Sequence, residues 1–384
     1  MRTCLTASSL LLASVLFMGC GPQNETTSSK ASETVSDTTV RSTASAEAGV
    51  KDAQAKALNM IELGDAYKTP DGMTYNPKDD NIYLVVPAAL GEGDAPLLVV
   101  QPDNTVKEIF RIPASPETKH AGSLGIAFGP DGNLYVADSQ EICGHPDHKG
   151  RLLRVVFEDG KPVRCETLAT NFVAPNGLTI LGDKIYFCET RVTEDTPSPL
   201  ISGLFCFDID ELDPEKPYKA KPYVSEEDKD PHFIFQFETK DPDWRVGANG
   251  CASSDDGKVY VANFGDEQIY ELSFNEDGTK IQNIREVVHN GEGQIKSIDG
   301  IKYDDARDVI YAADFAGNAI HEICAQTGKV KTLKTNPVGT GANGDLDRCS
   351  EVCRRGNKLY ISNIDLPFEN ENDGPHSLSI IDLE

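Results

Sequence analysis

One hairpin-like stretch occurs six times along the 384-residue chain, and this repetition constrains the fold more than any other feature. Each copy has a short apolar segment, a turn rich in Gly, Asp or Asn, and a second segment that carries a tyrosine. The tyrosines are Tyr83, Tyr135, Tyr186, Tyr260, Tyr311 and Tyr360. The copies begin near residues 71, 124, 176, 249, 299 and 350, so the step is 50 to 53 residues, except for one of 73. Such a period indicates an architecture of repeated units.

Further strand-like segments lie between the hairpins, for example "QIYELSFNEDGTKIQ". Each repeat therefore holds about four strands, the content of one blade of a β-propeller. The sequence predicts an all-β fold over residues 57–384, a six-bladed propeller with four-stranded blades. The last repeat ends after three strands, so segment 57–63 is expected to supply the fourth and close the ring. The long step is interpreted as an insertion at 225–247, which contains Trp244.

The N-terminus has the features of an export signal. Arg2 precedes an apolar run at 5–18 that is too short to span a bilayer, and Cys20 follows closely. We expect residues 1–19 to be a bacterial lipoprotein signal peptide and Cys20 to be lipidated, with an ordinary secretory signal as the alternative. Residues 20–56 are rich in Ser, Thr, Ala and Glu, which is typical of a flexible tether. The expected location is the cell envelope, with the lipid anchor as the only membrane contact.

Charge and cysteine content restrict the partners. A formal charge of -26 argues against nucleic acid, because a phosphate backbone would be repelled. The charge suits hard cations or neutral small molecules, and we expect a monomer that acts on a small-molecule substrate. Eight cysteines remain besides Cys4 and Cys20. An exported chain can pair them as disulfides, although several would serve equally well as small buried apolar residues.

One position of the repeat is rich in oxygen donors. At the start of the first strand of each copy stand, in order, Asp71, Leu124, Asn176, Asn249, Asp299 and Ser350. In a propeller these strands line the central channel, so their starts converge at one end of the axis. Two carboxylates and two amide carbonyls on such a ring suit Ca²⁺ better than Zn²⁺, since the set contains no His or Cys. The competing interpretation is turn chemistry, because Asp-Gly and Asn-Gly are common turn pairs.

The motifs at these positions resemble those of a known family. "PNGL" at 175–178 and "DGI" at 299–301 are similar to signatures of the gluconolactonase and senescence-marker-protein family, and "DGMTY" at 71–75 takes the place of its first-blade E-x-P-x-W motif. That family, with the related paraoxonases and diisopropyl-fluorophosphatase-like enzymes, consists of six-bladed propellers with an axial Ca²⁺ or other divalent ion. The resemblance spans residues 57–384. It implies four metal ligands, which are Asp71, Asn176, Asn249 and Asp299.

The resemblance also implies an activity. The chain is expected to be a metal-dependent hydrolase of lactones or related esters, in which the ion polarises the carbonyl. Asp299 would be the catalytic residue, as a base toward water or as a nucleophile. Two departures weaken the match, since Asp71 is shorter than the family's Glu and Leu124 stands where some relatives have a polar residue. The alternative is a non-enzymatic, surface-tethered propeller that binds a ligand or partner around a structural Ca²⁺.

Further polar residues are predicted at the same end of the channel. Three residues after each tyrosine come Val86, Asp138, Glu189, Asn263, Asp314 and Asn363, whose polar members are expected to hydrogen-bond loop backbone. Four residues of this end are candidates for substrate binding: Glu189, Arg191, His145 and His148. Arg191 suits a substrate carboxylate and the histidines suit proton transfer. Ion pairs and solvated loop positions are the alternative interpretation.

Overall fold

A computed structural model describes residues 59–278, 280–366, 372 and 374–384. The predicted signal peptide, the lipidation site at Cys20 and the tether at 20–56 lie outside the described residues. The described part belongs to one compact unit, Ala55–Glu384, and forms 25 strands in six sheets with four short 3-10 helices. This confirms the predicted all-β, six-bladed propeller. No helix in this part of the chain has the length and apolar character needed to cross a membrane.

The strands follow the predicted repeat, blade by blade. The first strand, β1 (Met60–Glu62), belongs to the last blade, and blade one follows it with β2 (Met73–Asn76), β3 (Asn81–Val85), β4 (Ala95–Val100) and β5 (Val106–Ile112). Blade two contains β6 (Ser123–Phe128), β7 (Leu134–Asp138), β8 (Gly150–Glu158) and β9 (Lys161–Phe172). Blade three contains β10 (Pro175–Leu181), β11 (Lys184–Glu189) and β12 (Leu200–Asp208); β13 (Tyr218–Lys219) and β14 (Phe233–Thr239) come next in the chain.

The second half of the chain is more regular. Blade four contains β15 (Ala248–Ser253), β16 (Lys258–Asn263), β17 (Gln268–Phe274) and β18 (Ile281–Val288). Blade five contains β19 (Ile301–Asp304), β20 (Val309–Asp314), β21 (Ala319–Cys324) and β22 (Val330–Thr335). Blade six contains β23 (Cys349–Arg355), β24 (Lys358–Asn363) and β25 (Ser377–Asp382). The 3-10 helices are Ile209–Glu211, Glu226–Asp228, Asn290–Gly293 and Ala342–Gly344.

The blades form a closed ring. Their inner strands contact one another in the order β2, β6, β10, β15, β19 and β23, and β23 contacts β2 again. The outer strand of blade six is β1, which pairs antiparallel with β25 and places Met60 opposite Ser379. The predicted closing segment thus joins the start of the propeller to its end. A ring of this kind leaves only short sheet edges, which are protected around the channel.

Blade three departs from the repeat in a way that the sequence did not reveal. Residues 225–247 contain β14, which is the outer strand of the blade and pairs with β12. The additional residues lie between β12 and β14, where two of the 3-10 helices occur. In this connection β13 leaves its own blade and pairs in parallel with β9, so the sheet of blade two has five strands.

The repeated tyrosines fill the interfaces between blades. All six are buried, each with an exposed fraction of 3% or less. Tyr260 of blade four stacks on Tyr303 of blade five with a ring separation of 4.8 Å. The hydroxyl of Tyr186 in blade three donates to the carbonyl of Gly278 in blade four at 2.8 Å. Buried aromatic area and satisfied hydroxyls therefore hold adjoining blades together.

The eight cysteines of the described part are all free thiols. Five of them are fully buried: Cys188, Cys206, Cys251, Cys349 and Cys353. In these positions they pack as small apolar residues among the strands, which is the second of the two interpretations that the sequence allowed.

Candidate functional site

Residues at or just before the start of the inner strands form one ring, called here the axial ring: Asp71, Leu124, Asn176, Asn249, Asp299 and Ser350. Five of the six are followed by glycine, and these glycines lie directly against the next blade. A Cβ atom placed on any of them would lie 1.8 to 2.6 Å from the backbone carbonyl oxygen of the next ring residue. Real Cβ atoms keep at least 3.0 Å from such neighbours, so only glycine allows blades this close. Glycine thereby brings the ring residues of successive blades together.

Side chains of the axial ring are largely removed from solvent. Asp71 and Asn249 have exposed fractions of 8% and 6%, and Leu124 and Ser350 are also buried. Asn176 and Asp299 are half-buried. Neighbours in the ring lie close enough to influence each other's ionisation, Asn249 beside Asp299 and Ser350 beside Asp71 across the closure of the propeller. The structure therefore brings together the residues that the sequence predicted as metal ligands.

The two ring carboxyls lie in an environment that disfavours their charge. Burial raises the pKa of Asp71 to about 7, with a further upward contribution from the charge of Glu351 and opposing contributions from Ser350 and Lys302. Burial likewise raises the pKa of Asp299 well above its usual value, and the charges of Asp71 and Glu351 add to the effect. A bound cation would stabilise the ionised form of these buried, mutually repelling carboxyls.

Two residues of this centre, Glu351 and Lys302, were not found from the sequence. Glu351 follows Ser350, at the one position where the other five copies of the repeat have glycine. Its Oε1 accepts from the N–H of Val352 at 2.8 Å, and its Oε2 lies 3.4 Å from Nζ of Lys302. Burial raises the pKa of Glu351, and the charge of Lys302 opposes that rise. The presence of Glu in one copy, where the other five have glycine, was the sequence signal that could have revealed this residue.

The donor set fits a hard divalent cation. Among the residues that the structure describes, no three His, Cys, Asp or Glu side chains converge to hold an ion. A cation here would therefore need the amide oxygens of Asn176 and Asn249 beside the carboxylates of Asp71 and Asp299. Oxygen donors with two amides and two carboxylates are the chemistry that Ca²⁺ prefers, whereas Zn²⁺ prefers nitrogen and sulfur.

Residues at the end of the second strands hydrogen-bond the backbone segments that lead into the axial ring. Asp314 accepts from the backbone N–H groups of Lys296 and Ser297 at 2.9 and 3.0 Å, just before Asp299. The Oδ1 of Asn363 accepts from the N–H of Asp347 at 3.0 Å, just before Ser350. The predicted role in binding loop backbone is seen for Asp314 and Asn363, whereas Asp138 bonds to the side chains of Gln140 and Arg151. In blades five and six, the second strand thereby fixes the segment that leads into its own ring residue.

Glu189 performs the same role in blade three but with an unused oxygen. Its Oε1 accepts from the N–H groups of Val173 and Ala174, the latter at 3.0 Å, while its Oε2 has no hydrogen-bond partner. Burial raises the pKa of Glu189 to about 8, against the two N–H groups and the charge of Arg191. The side chain lines a narrow cleft between blades two and three, which His148 also lines.

The other two predicted substrate-binding residues lie elsewhere in the loops of this end. Arg191 lies 3.1 Å from the carboxylate of Glu141 and donates to the carbonyl of Glu194 at 3.3 Å. The ring of His145 lies 5.5 Å from that of His120. Of the four candidates, Glu189 and His148 line the same cleft. Arg191 belongs to an ion pair, and His145 lies beside another histidine.

An apolar cluster, called here the roof, spans the loops at the ring's end of the channel. Phe264, Phe315 and Ile364 directly follow the strands β16, β20 and β24, and each has an exposed fraction of 4%. Trp244 packs on Phe264 and Phe315 with ring separations of 5.8 and 6.0 Å. Ile142 of blade two joins the same cluster, although its blade borders none of blades four to six. The roof therefore reaches across the axis.

Fold and site together define a six-bladed propeller with an acidic centre on its axis. No protein-family profile matches the sequence, and no curated protein matches it either. Solved structures do match. A luciferin-regenerating enzyme is 15% identical with a TM-score of 0.55, and the match covers 84% of this chain and 95% of that one.

Two further solved structures have the same architecture. A proposed gluconolactonase is 16% identical with a TM-score of 0.51, covering 85% of this chain and 93% of that chain. The PQQ-bound aldose sugar dehydrogenase from Streptomyces coelicolor is 13% identical with a TM-score of 0.50, covering 84% and 96%. The resemblance to gluconolactonases is confirmed at the level of the fold. Because the three names describe different chemistries, function has to be argued from the site.

Proposed function

We propose that this protein is a metal-dependent hydrolase of lactones or related esters, with a divalent cation, Ca²⁺ being the best fit, held in the axial ring. The observation that carries the proposal is the ring itself. It places two carboxyls, Asp71 and Asp299, and two amides, Asn176 and Asn249, at one end of the axis, and the pKa values of both carboxyls are raised. The gluconolactonase among the structural neighbours supports the choice of reaction class.

Each ring residue has a distinct part in this proposal. A bound divalent cation would polarise the substrate carbonyl and stabilise the oxyanion. Asp71, Asn176 and Asn249 would hold it, while Asp299 would be both ligand and the catalytic group, as nucleophile or as base toward a water. Asn249, the neighbour of Asp299 in the ring, would help to orient its carboxylate. The roof would limit the access of bulk water to the reacting atoms.

The hydrolysis of a small substrate panel tests this function. We expect the purified protein to hydrolyse at least one of a sugar lactone, an aliphatic lactone and an aryl ester in Ca²⁺. We expect turnover to fall at least about 100-fold after chelation and in Asp299→Ala, because both remove charge stabilisation from the transition state. The matched control is Asp305→Asn, which changes an exposed acid in the turn between the first two strands of the same blade. Full turnover in Asp299→Ala would refute the catalytic role.

A second function is favoured by two observations. Leu124 occupies one ring position, and the roof crosses the axis above the ring. Both suit a propeller that holds a structural cation and binds its ligand elsewhere, tethered to the envelope through Cys20 if the N-terminal signal is processed as expected. Loss of thermal stability on chelation, with no turnover of any panel member, would support this second function.

A further inference from the structure

The junction between blades five and six is built differently from the others. At four junctions a glycine in one blade packs on the backbone of the next, and here Gly300 packs on the backbone of Ser350 and also on the side chain of Glu351. Oε1 of Glu351 lies 2.4 Å from the position that a Cβ on Gly300 would occupy, and the N–H of Gly300 donates to the carbonyl of Ser350 at 2.7 Å. The Glu351 carboxylate thus lies over the residue that follows Asp299.

Lys302 of blade five completes the contact across this junction. It stands three residues beyond Asp299 on β19, and its Nζ is 3.4 Å from Oε2 of Glu351. The side chains of Lys302 and Glu351 are only 24% and 11% exposed, so water screens their charges weakly. Ser350, which precedes Glu351, lies beside Asp71 on the other side. Both carboxyls of the axial ring therefore have this pair as a neighbour.

We propose that Glu351 and Lys302 form a charge pair that belongs to the axial centre and matches its net charge to a divalent cation. The proposal rests on the cation binding in the proposed function. When ionised, the carboxylates of Asp71, Asp299 and Glu351 with the ammonium of Lys302 carry three negative charges and one positive charge, a net charge of -2. A divalent ion neutralises this sum. Lys302 also keeps Glu351 from remaining as an uncompensated buried charge before the ion binds.

Charge variants at the two positions test the inference by calorimetric titration of the purified protein with Ca²⁺. Glu351→Gln leaves the centre at one negative charge and is expected to weaken Ca²⁺ binding at least about tenfold. Lys302→Met leaves three negative charges and is expected to strengthen binding at least about tenfold. The double variant restores the original sum, so we expect its affinity to return to within about threefold of the wild type. Opposite single effects that cancel are the signature of charge matching.

The control and the wild type separate the possible results. Lys184→Met removes a partly buried lysine that pairs with Asp208 at the start of β11, remote from the ring, and its Ca²⁺ affinity should equal that of the wild type. A wild type that binds no Ca²⁺ would overturn both the proposed cation site and this inference. A wild type that binds Ca²⁺, while both single variants keep its affinity, would overturn the inference alone. The double variant also tests folding. If it restores the affinity that a single variant lost, that loss came from the changed charge and not from a failure to fold.

Discussion

Replacing Gly177 by alanine is expected to separate blades three and four and to disrupt the axial ring. The added Cβ would lie 2.1 Å from the carbonyl oxygen of Asn249 and 2.8 Å from the backbone N of Cys251. Both are main-chain atoms of an inner strand, so no side-chain rotation can relieve the overlap. We expect a loss of about 3 kcal/mol in the free energy of unfolding, the upper part of the range for overpacked sites. Ca²⁺ affinity should fall at least about tenfold, because Asn176 and Asn249 would move apart.

A glycine in open space is the control for this variant. An added Cβ on Gly91 meets no atom within 4 Å, and its backbone is not in the left-handed region. We expect Gly91→Ala to remain within about 0.5 kcal/mol of the wild type in urea unfolding. Equal stability of the two variants would show that the ring does not depend on the close approach of the blades.

The fold was predictable because its signals are local and repeated. Hairpin turns such as Asp131-Gly132 and the tyrosine of each second strand recur with nearly constant spacing, and a closed ring follows from six such units. The position of β13 was not predictable. A two-residue strand has almost no pattern of its own, and its pairing with β9 depends on where a long connection passes a neighbouring blade.

Part of the site was predictable for the same reason. The register of the repeat placed Asp71, Asn176, Asn249 and Asp299 at equivalent positions, and equivalent positions meet on the axis. Lys302 was missed because its relation to Glu351 crosses between blades, and a repeat pattern describes one blade at a time. The roof was missed because Phe264, Phe315 and Ile364 read individually as ordinary apolar residues at strand ends.

Some acidic residues hydrogen-bond the backbone just before the ring residues, so they link the stability of the fold to the geometry of the site. In blade five, Asp314 uses both carboxylate oxygens on the backbone N–H groups before Asp299. In blade three, Glu189 uses one oxygen on the N–H groups of Val173 and Ala174, three and two residues before Asn176. An acid that is buried and only half satisfied should make the stability of this segment depend on pH.

Glu189→Gln is therefore expected to stabilise the protein at high pH and to leave it unchanged at low pH. Burial raises the pKa of Glu189 from its ordinary value of 4.5 to about 8. Below pH 4.5 the carboxyl is protonated in the folded and the unfolded state, so it contributes no difference. Between pH 4.5 and 8 the unfolded state loses its proton first, and the folded state loses stability as pH rises. The full difference is about 5 kcal/mol by pH 9.

Urea unfolding of the wild type and Glu189→Gln from pH 4 to pH 9 measures this difference directly. The glutamine keeps an acceptor oxygen for Val173 and Ala174, so the variant removes the titration and preserves the contact. Its advantage over the wild type should be near zero at pH 4 and should grow steadily up to pH 9. Glu215→Gln is the matched control, because it changes an exposed glutamate in the connection that follows β12 of the same blade, and its curve should run parallel to the wild type. Parallel curves for Glu189→Gln as well would mean that this carboxyl is ionised in the folded protein and is compensated by a group outside the present contacts.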